Sequence, residues 1–309
     1  MNKVAVTGAN GLIGSHMVSL LKNKKIPVKK ITRQIWDLKK WKSLKELDQI
    51  FGSVSAVFHF GAQLNHCYSN YSNLQTQNIF NTNIRSCLNL AEWAKLRDIP
   101  IIFISSSLIY KDSHAPKITE TDETNNEFSG LSDLGGFYGF TKILQENILK
   151  YFLTCGLKCV ILRPSSVFGY GLPSDKLVQN YINIASSGGL IKVNRPDNKV
   201  NFIHAHDVSR AALQAYNKKL WGRIFNISSK KPSTILQVAK NAVSISGKGK
   251  IIVLNDSKND TSFTRFNLSS QLANKTFRFT SVLSLKEGMM LVKKKNLVPQ
   301  FKIRKKITL

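Results

Sequence analysis

Short apolar runs alternate with longer amphipathic stretches along the first two-thirds of the chain, and this alternation sets the expected fold. Val4-Ala5-Val6 runs into Thr7-Gly8-Ala9-Asn10-Gly11-Leu12-Ile13-Gly14, and Leu12, Ile13, Val18, Leu20 and Leu21 then recur at helical spacing. The pattern predicts a strand, a glycine turn and a helix. Further strands are predicted at Val28–Thr32, Val54–His59, Ile101–Ile104 and Lys158–Arg163, with helices at Asn83–Arg97 and Phe137–Leu153. Ile101–Ile104 is apolar throughout, as in a strand covered on both faces. Strands alternating with helices in this way predict an α/β fold, a Rossmann-like doubly wound parallel sheet.

Beyond Gly169 the pattern loosens. A short strand is expected at Val200–His204, a helix at His206–Asn217 and a strand at Arg223–Ile227 that returns to the main sheet. Helices near Ser233–Ser246 and Leu283–Lys294 complete a smaller lobe. The expected division is therefore a dinucleotide-binding domain over 1–168 and a mainly substrate-binding lobe over 169–309, with segments near 200–206 and 223–227 joining the main domain. The polar, acid-containing stretch Lys111–Leu134 is expected to be a loop over the active site.

Composition narrows the picture. A chain of 309 residues, 42% hydrophobic, can bury one large core with an appendage. The absence of an apolar run of membrane-spanning length, and a core strand at the very start, give the expectation of a soluble cytoplasmic protein. Cys67, Cys87, Cys155 and Cys159 lack zinc-ligand spacing and read as buried thiols of a reducing compartment. The net charge of +27 is concentrated in Lys22–Lys42 and the last seventeen positions, including Lys293-Lys294-Lys295, Lys302, Arg304, Lys305 and Lys306. No nucleic-acid motif accompanies it, so a solvated basic face is the first reading, with an anionic membrane or acidic partner at the tail as the alternative.

Candidate chemistry begins at the glycine turn. Gly8, Asn10, Gly11, Leu12, Ile13 and Gly14 form G-x-x-G-x-x-G between a strand and a helix, where backbone N–H groups and the helix end hold a pyrophosphate. At the end of the second strand stands Arg33, with no acid before Asp37, which points to the 2′-phosphate of NADP over NAD. Gly61, Ala62 and Gln63 after the third strand let the backbone pass beneath a cofactor, and Ser105-Ser106-Ser107 sit at the carboxyl edge of the fourth. Tyr138 and Lys142 lie one helical turn apart. A cation about 4 Å from the phenol, at an effective dielectric near 20, lowers its pKa by about three units, into the range of a general acid or base. His204 and His206 have no ligand partners in the sequence and read as structural, and no metal site is expected.

Taken as a set, these segments resemble the extended short-chain dehydrogenase/reductase family, the NAD(P)-dependent nucleotide-sugar epimerases, dehydratases and reductases. The resemblance covers nearly the whole chain and includes Asn83 with Asn89, Ser105–Tyr110, Leu162–Gly169, Phe202–Asp207 and Phe225-Asn226-Ile227. It implies that Ser106, four residues before Tyr110, is the catalytic serine, with Ser107 as runner-up. It also implies that Tyr138 moves the hydroxyl proton during hydride transfer at a sugar carbon, and that Lys142 lowers the tyrosine pKa and holds the nicotinamide ribose. Asn83 and Ser105 join the cofactor site, as do Pro164 and Val167 beside the nicotinamide amide.

The departures are equally informative. Ser106-Ser107-Leu108 stands where dehydratases resemble T-D-E, and Leu108 replaces the glutamate of decarboxylases and the cysteine of ring epimerases. What remains is 4-epimerisation, 4-keto reduction or hydroxyl oxidation, in surface polysaccharide synthesis. Ser166 and Val200 replace the family's diphosphate-binding Asn and Arg, which leaves Lys199, Lys230, Lys231 or Lys258 as candidate cations. A homodimer acting on a nucleotide sugar is expected. The rival reading is a non-catalytic cofactor-binding regulator or scaffold of the same fold.

Overall fold

A computed structural model of the chain describes residues 3–64, 73–112, 115–125, 136–254 and 265–297. In chain order its first half contains β1 (Val4–Thr7), α1 (Leu12–Asn23), β2 (Val28–Ile31), α2 (Leu44–Phe51), β3 (Val57–His59), α3 (Asn73–Phe80), α4 (Ser86–Leu96), β4 (Ile101–Ile104) and α5 (Gly136–Thr154). The second half contains β5 (Cys159–Pro164), β6 (Ser166–Phe168), α6 (Leu177–Ser186), β7 (Leu190–Val193), β8 (Lys199–Val200), β9 (Phe202–His204), α7 (Ala205–Asn217) and β10 (Ile224–Ile227). It ends with β11 (Ser233–Thr234), α8 (Ile235–Ser246), β12 (Lys250–Val253), β13 (Arg265–Phe266), α9 (Gln271–Phe277) and α10 (Leu285–Lys293).

Six strands form one sheet in the order β10-β5-β4-β3-β1-β2, and every neighbouring pair is parallel. The pleat sorts the core. Val4, Val6, Ile102, Ile104, Val160 and Leu162 point to one side, against α1, α7 and α9, while Ala5, Ile101, Phe103, Cys159 and Ile161 point to the other, against α2, α4 and α5. Strand order reverses around β1, which is flanked by β2 and β3, so the crevice expected of a doubly wound sheet opens beyond the carboxyl ends of β1 and β3.

The smaller lobe has its own core, in which Val178, Tyr181, Ile182, Val238, Ala242, Met289 and Val292 pack together from α6, α8 and α10 beside the parallel β7–β12 pair. β6 pairs with β9, and β10 closes the main sheet against β5.

Three helices, α2, α6 and α9, lie where no element was expected. α2 begins with a capping box, Ser43 accepting from the Glu46 amide while Glu46 returns to Ser43, and buries Leu47 and Phe51. α6 buries Val178, Tyr181, Ile182 and Ala185 at helical spacing. β3 starts at Val57, later than expected, because Gly52 at φ +60 turns the chain out of α2 first. The helix expected over Asn83–Arg97 is the end of a longer run, with a π turn at Asn81–Arg85 between α3 and α4. Cys155 is exposed, contrary to the buried-thiol reading; Cys87 and Cys159 are buried and free, and Cys67 lies outside the described residues. Lys302, Arg304, Lys305, Lys306 and Lys258 also lie outside them. Among the described residues no helix is long and apolar enough to cross a membrane, and no cluster of metal-ligating side chains occurs.

Candidate functional site

The glycine turn is closed by contacts only glycine tolerates. Gly8 has φ +62, and a Cβ there would lie 2.7 Å from the Gly61 nitrogen. A Cβ on Gly14 would overlap the Gly8 carbonyl oxygen, so α1 rests directly on the turn. The Gly11 N–H donates to the Gly8 carbonyl at 2.8 Å, and Gly11 caps α1 with no side chain on the first-turn amides. Those amides and the positive helix end face an anion. The Thr7 hydroxyl ties the turn to the next strand: it accepts from the Phe60 and Gly61 amides at 3.2 Å and bonds His59 Nδ1 at 2.8 Å.

Beside this turn lies a cavity of about 330 Å³, and Gly8, Arg33, Asp37, Gly61, Ala62 and Gln63 are among its walls. Its size, its glycine floor and the adjoining bare helix end suit a dinucleotide. Arg33 lies on it as expected, but not as the sole charge, because Asp37 stands on the same wall with Oδ2 3.8 Å from Arg33 Nε.

Asn83 is buried in the π turn and occupied by protein. Its Oδ1 accepts the Gln63 amide at 2.8 Å, and its Nδ2 donates to the Gln63 carbonyl at 3.1 Å and to Thr141 Oγ1 at 3.0 Å. Thr141 Oγ1 donates in turn to the Tyr138 carbonyl at 2.8 Å, and Gln145 Nε2 donates to the Asn83 carbonyl at 2.7 Å. The side chain expected to touch cofactor instead links the Gly61–Gln63 turn to the helix carrying Tyr138. Asn89 does the same for the basic loop, holding Lys42 N–H and C=O at 2.9 and 2.8 Å.

Lys142 is buried, donating to the Ile104 carbonyl at 2.9 Å with Nζ 4.7 Å from the Phe103 ring centre and 5.7 Å from that of Tyr138. This contact brings α5 to the end of β4, two residues before Ser106. Burial pulls the Lys142 ammonium down to about 8 and pushes the half-buried Tyr138 phenol up. The expected depression of the tyrosine is therefore not found in this arrangement: the cation addresses a carbonyl and an aromatic face, and desolvation prevails.

Ser106 is buried and caps a 3-10 turn over Ser107–Ile109, its Oγ accepting the Leu108 amide at 3.1 Å. A hydroxyl that accepts this bond keeps its own hydrogen to donate. Ser107 is buried in the turn. The Ser105 and Ser165 hydroxyls, at the carboxyl ends of β4 and β5, are buried with no partner among the described residues. Orphaned hydroxyls at that edge suit a polar ligand. Pro164 ends β5, and Val167 packs from β6 against the main core.

The expected substrate residues are less concentrated. Ser166 is exposed on β6, its amide donating to the Asn201 carbonyl at 3.1 Å, and half-buried Lys199 lies on β8. Lys230 lines a separate cavity of about 390 Å³ with Lys117 and a group of serines. The described part of the Lys111–Leu134 stretch is pinned to the lobe and to β10: Ile118 bridges Leu268, and Glu120 accepts the Asn226 amide at 2.7 Å.

Sequence reading missed a buried ionic brace under the serine turn. Arg163 meets Glu146 through two bonds of 2.9 and 2.7 Å and donates to Tyr110 Oη at 2.9 Å; Tyr110 donates to Asn226 at 2.7 Å. Burial pushes the Tyr110 phenol up to about 12, so it stays a neutral donor. An arginine in an apolar strand and a glutamate one turn after Lys142 were the available signals. His16 also went unread. It meets His204 edge-on, ring centres 5.2 Å apart, and His204 meets Phe168 at 5.3 Å. His16 Nε2, His204 Nε2 and His206 Nδ1 are buried without partners among the described residues, so these histidines are not fully hydrogen-bonded.

The trifunctional UDP-glucose 4,6-dehydratase/UDP-4-keto-6-deoxy-D-glucose 3,5-epimerase/UDP-4-keto-L-rhamnose-reductase of Arabidopsis thaliana is 22% identical over 279 residues, covering 79% of this chain but only 39% of that protein. UDP-glucuronic acid decarboxylase 6 of Arabidopsis thaliana is 25% identical over 255 residues, 77% of this chain and 72% of the relative. In fold, the chain matches the UDP-glucuronic acid 4-epimerase from Bacillus cereus, solved in complex with NAD, with a TM-score of 0.75 at 21% identity over 95% of this chain and 98% of that one. The model of the NAD dependent epimerase/dehydratase family matches residues 4–228, the stretch from β1 through the end of the sheet, and the chain belongs to that family.

Proposed function

We propose that the protein is an NAD(P)-dependent enzyme that moves a hydride to or from carbon 4 of a UDP-linked or other nucleotide-linked sugar, as a 4-epimerase or 4-keto reductase in surface polysaccharide synthesis. The observation that carries this reading is Leu108. It stands half-buried one residue beyond Ser106-Ser107, with no group for the proton chemistry of a dehydratase or decarboxylase, while Ser106, Tyr138 and Lys142 are all retained at the carboxyl edge of the sheet. The three relatives compared above are named for UDP-sugar substrates, which supports the substrate class.

When bound, the dinucleotide supplies a hydride acceptor or donor. On this reading residues 1–168 hold it and 169–309 mainly hold the sugar. The Gly8–Gly14 turn and the α1 amides take the pyrophosphate, and Asn83 positions the Gly61–Gln63 turn against the Tyr138 helix. Tyr138 takes the proton from the sugar hydroxyl, or returns it, while the Ser106 hydroxyl donates to the same oxygen. Lys142 fixes the end of β4 relative to Tyr138 and supplies the nearby positive charge.

Incubating the purified protein with a panel of UDP-sugars and their 4-keto derivatives, with NAD or NADPH, tests the reading. Formation of the 4-epimer, or steady NADPH consumption with a 4-keto sugar, is expected; turnover only to a dehydrated or decarboxylated product would refute it.

The expected homodimer belongs to the same proposal. Ile84, Leu88, Leu144, Ile148, Tyr151 and Phe152 line a mostly apolar groove along α4 and α5, in which Leu88 is 38% and Tyr151 65% exposed. We expect a dimer by analytical ultracentrifugation and a monomer for Leu88→Glu. A monomeric wild type would remove this part of the account.

A further inference from the structure

β10 forms the edge of the main sheet opposite β2, and past its carboxyl end lies the cavity of about 390 Å³ lined by Lys117 and Lys230. It shares no residue with the cavity beside the glycine turn, nor with Ser106, Tyr138 and Lys142. Its walls come from three segments that are stitched together. The Ile118 N–H donates to the Asn267 carbonyl and the Ser269 N–H to the Ile118 carbonyl, both at 2.8 Å, while Asn267 Nδ2 donates to the Pro116 carbonyl at 2.6 Å. The Ser228 N–H donates to Ser270 Oγ and the Ser228 hydroxyl to the Leu268 carbonyl, both at 2.6 Å. Walls tied in this way hold their side chains in place before a ligand arrives.

Charge alone selects nothing in a chain with 45 basic and 18 acidic residues; convergence does. Lys117 arrives from the stretch after β4 and Lys230 from the loop after β10. Among the described residues no carboxylate lines the cavity, and neither lysine has an ion pair. Lys117 Nζ gives one hydrogen to Gln271 Oε1 at 2.8 Å, which leaves Gln271 Nε2 as a donor, and Ser269 Oγ accepts the Gln271 amide at 3.3 Å and keeps its own hydrogen to donate. One concave surface thus carries two uncompensated cations and neutral donors, and an anion between them relieves the repulsion. We propose that this cavity is a second ligand site, which takes the phosphate group of a small molecule, free phosphate or a phosphate monoester, between Lys117 and Lys230. A phosphate has oxygens enough to meet donors from several segments at once, where a carboxylate has two. The volume leaves room beside it for a sugar-sized body. The site goes beyond the proposed reaction and does not depend on it.

Calorimetric titration of inorganic phosphate and of glucose 1-phosphate into the full chain tests it, in wild type, Lys117→Met, Lys230→Met and Lys218→Met. Lys117 and Lys230 are exposed, so their loss leaves the fold intact, and Lys218→Met removes an equal charge from the end of α7, outside the cavity. Wild type is expected to bind at least one of the two with a dissociation constant of about 1 mM or tighter. Each cavity variant should weaken that binding about fivefold or more, and Lys218→Met by no more than about twofold. Tighter binding of the ester identifies a phosphorylated compound as the ligand; otherwise it is the free anion. Saturation with NAD should leave the phosphate affinity unchanged, and phosphate should slow amide hydrogen exchange in wild type at 115–118 and 228–230. An equal loss in all three variants would reduce the effect to general charge, and displacement of phosphate by NAD would move it to the glycine turn. Either result, or no binding of either compound, overturns the proposal.

Discussion

Replacing Tyr138 by Phe is expected to lower turnover at least a hundredfold, the usual scale of a lost general acid or base, while leaving dinucleotide affinity within a few-fold. The ring stays and only the proton-carrying oxygen goes, so the fold and the glycine turn are untouched. Equal turnover in wild type and variant would end the role assigned to Tyr138. Lys142→Met separates chemistry from stability in the same helix. Lys142 is 2% exposed, and burial lowers its ammonium to about 8 against an ordinary value of 10.5, so keeping it charged costs the folded state about 3 kcal/mol below pH 8. That cost fades as pH rises from 8 to 10.5, because the unfolded chain then loses the same proton. Lys142→Met is accordingly expected to be inactive yet to melt several degrees higher at pH 7, a gain that vanishes near pH 10.5; a lower melting point would mean that the contacts to Ile104 and Phe103 outweigh desolvation.

Acid should unfold the protein well before its carboxylates protonate. Burial holds His16 and His206 at about 4, His59 at about 3 and His204 at about 2, against an unfolded value of 6.5. Below pH 6.5 the unfolded chain therefore binds protons that the folded chain refuses, and stability falls as pH falls, down to about pH 4 for His16 and His206 and further for His59 and His204. Each histidine contributes about 1.4 kcal/mol per pH unit, or about 2 kcal/mol at pH 5, and the four together about 8 kcal/mol. That is comparable with the entire stability of an ordinary domain. Three of the four, His16, His204 and His206, lie between α1 and the β6–β9 pair, with Arg210 and Lys24 adding repulsion at His206. A urea midpoint that drops steeply from pH 7 to pH 5, less so in His206→Gln, is the expected outcome. Equal midpoints at the two values would show that the imidazoles take up protons without unfolding.

The sheet was readable because most of its strands are apolar in a row and its glycines occur where backbones meet. Gly8 and Gly14 show why spacing carried the signal: a single methyl group would collide with the Gly61 backbone at the first and with the Gly8 carbonyl at the second. What escaped was carried by pairing across the chain. Nothing local to Asn83 says that its amide will be used up on Gln63 and Thr141, nor that Lys142 will face the Ile104 carbonyl instead of the phenol. α2 could have been found from Ser43 and Glu46, whose spacing is a capping box, but the surrounding lysines masked its apolar face. The Arg163–Glu146 brace and the His16–His204 contact join residues far apart in sequence, and one-dimensional periodicity has no access to them.

The central claim is that a sugar carbon gives up its hydride above the glycine turn while Tyr138 takes the hydroxyl proton. The most direct measurement uses the 4-hydroxy nucleotide sugar, the substrate of an epimerase or the product of a 4-keto reductase run in reverse, carrying deuterium at carbon 4 and mixed in a single turnover with enzyme and oxidised cofactor. The account predicts a rise in reduced-nicotinamide absorbance that is slowed by the deuterium and absent in Tyr138→Phe; product formation with no reduced nicotinamide and no isotope effect would contradict it.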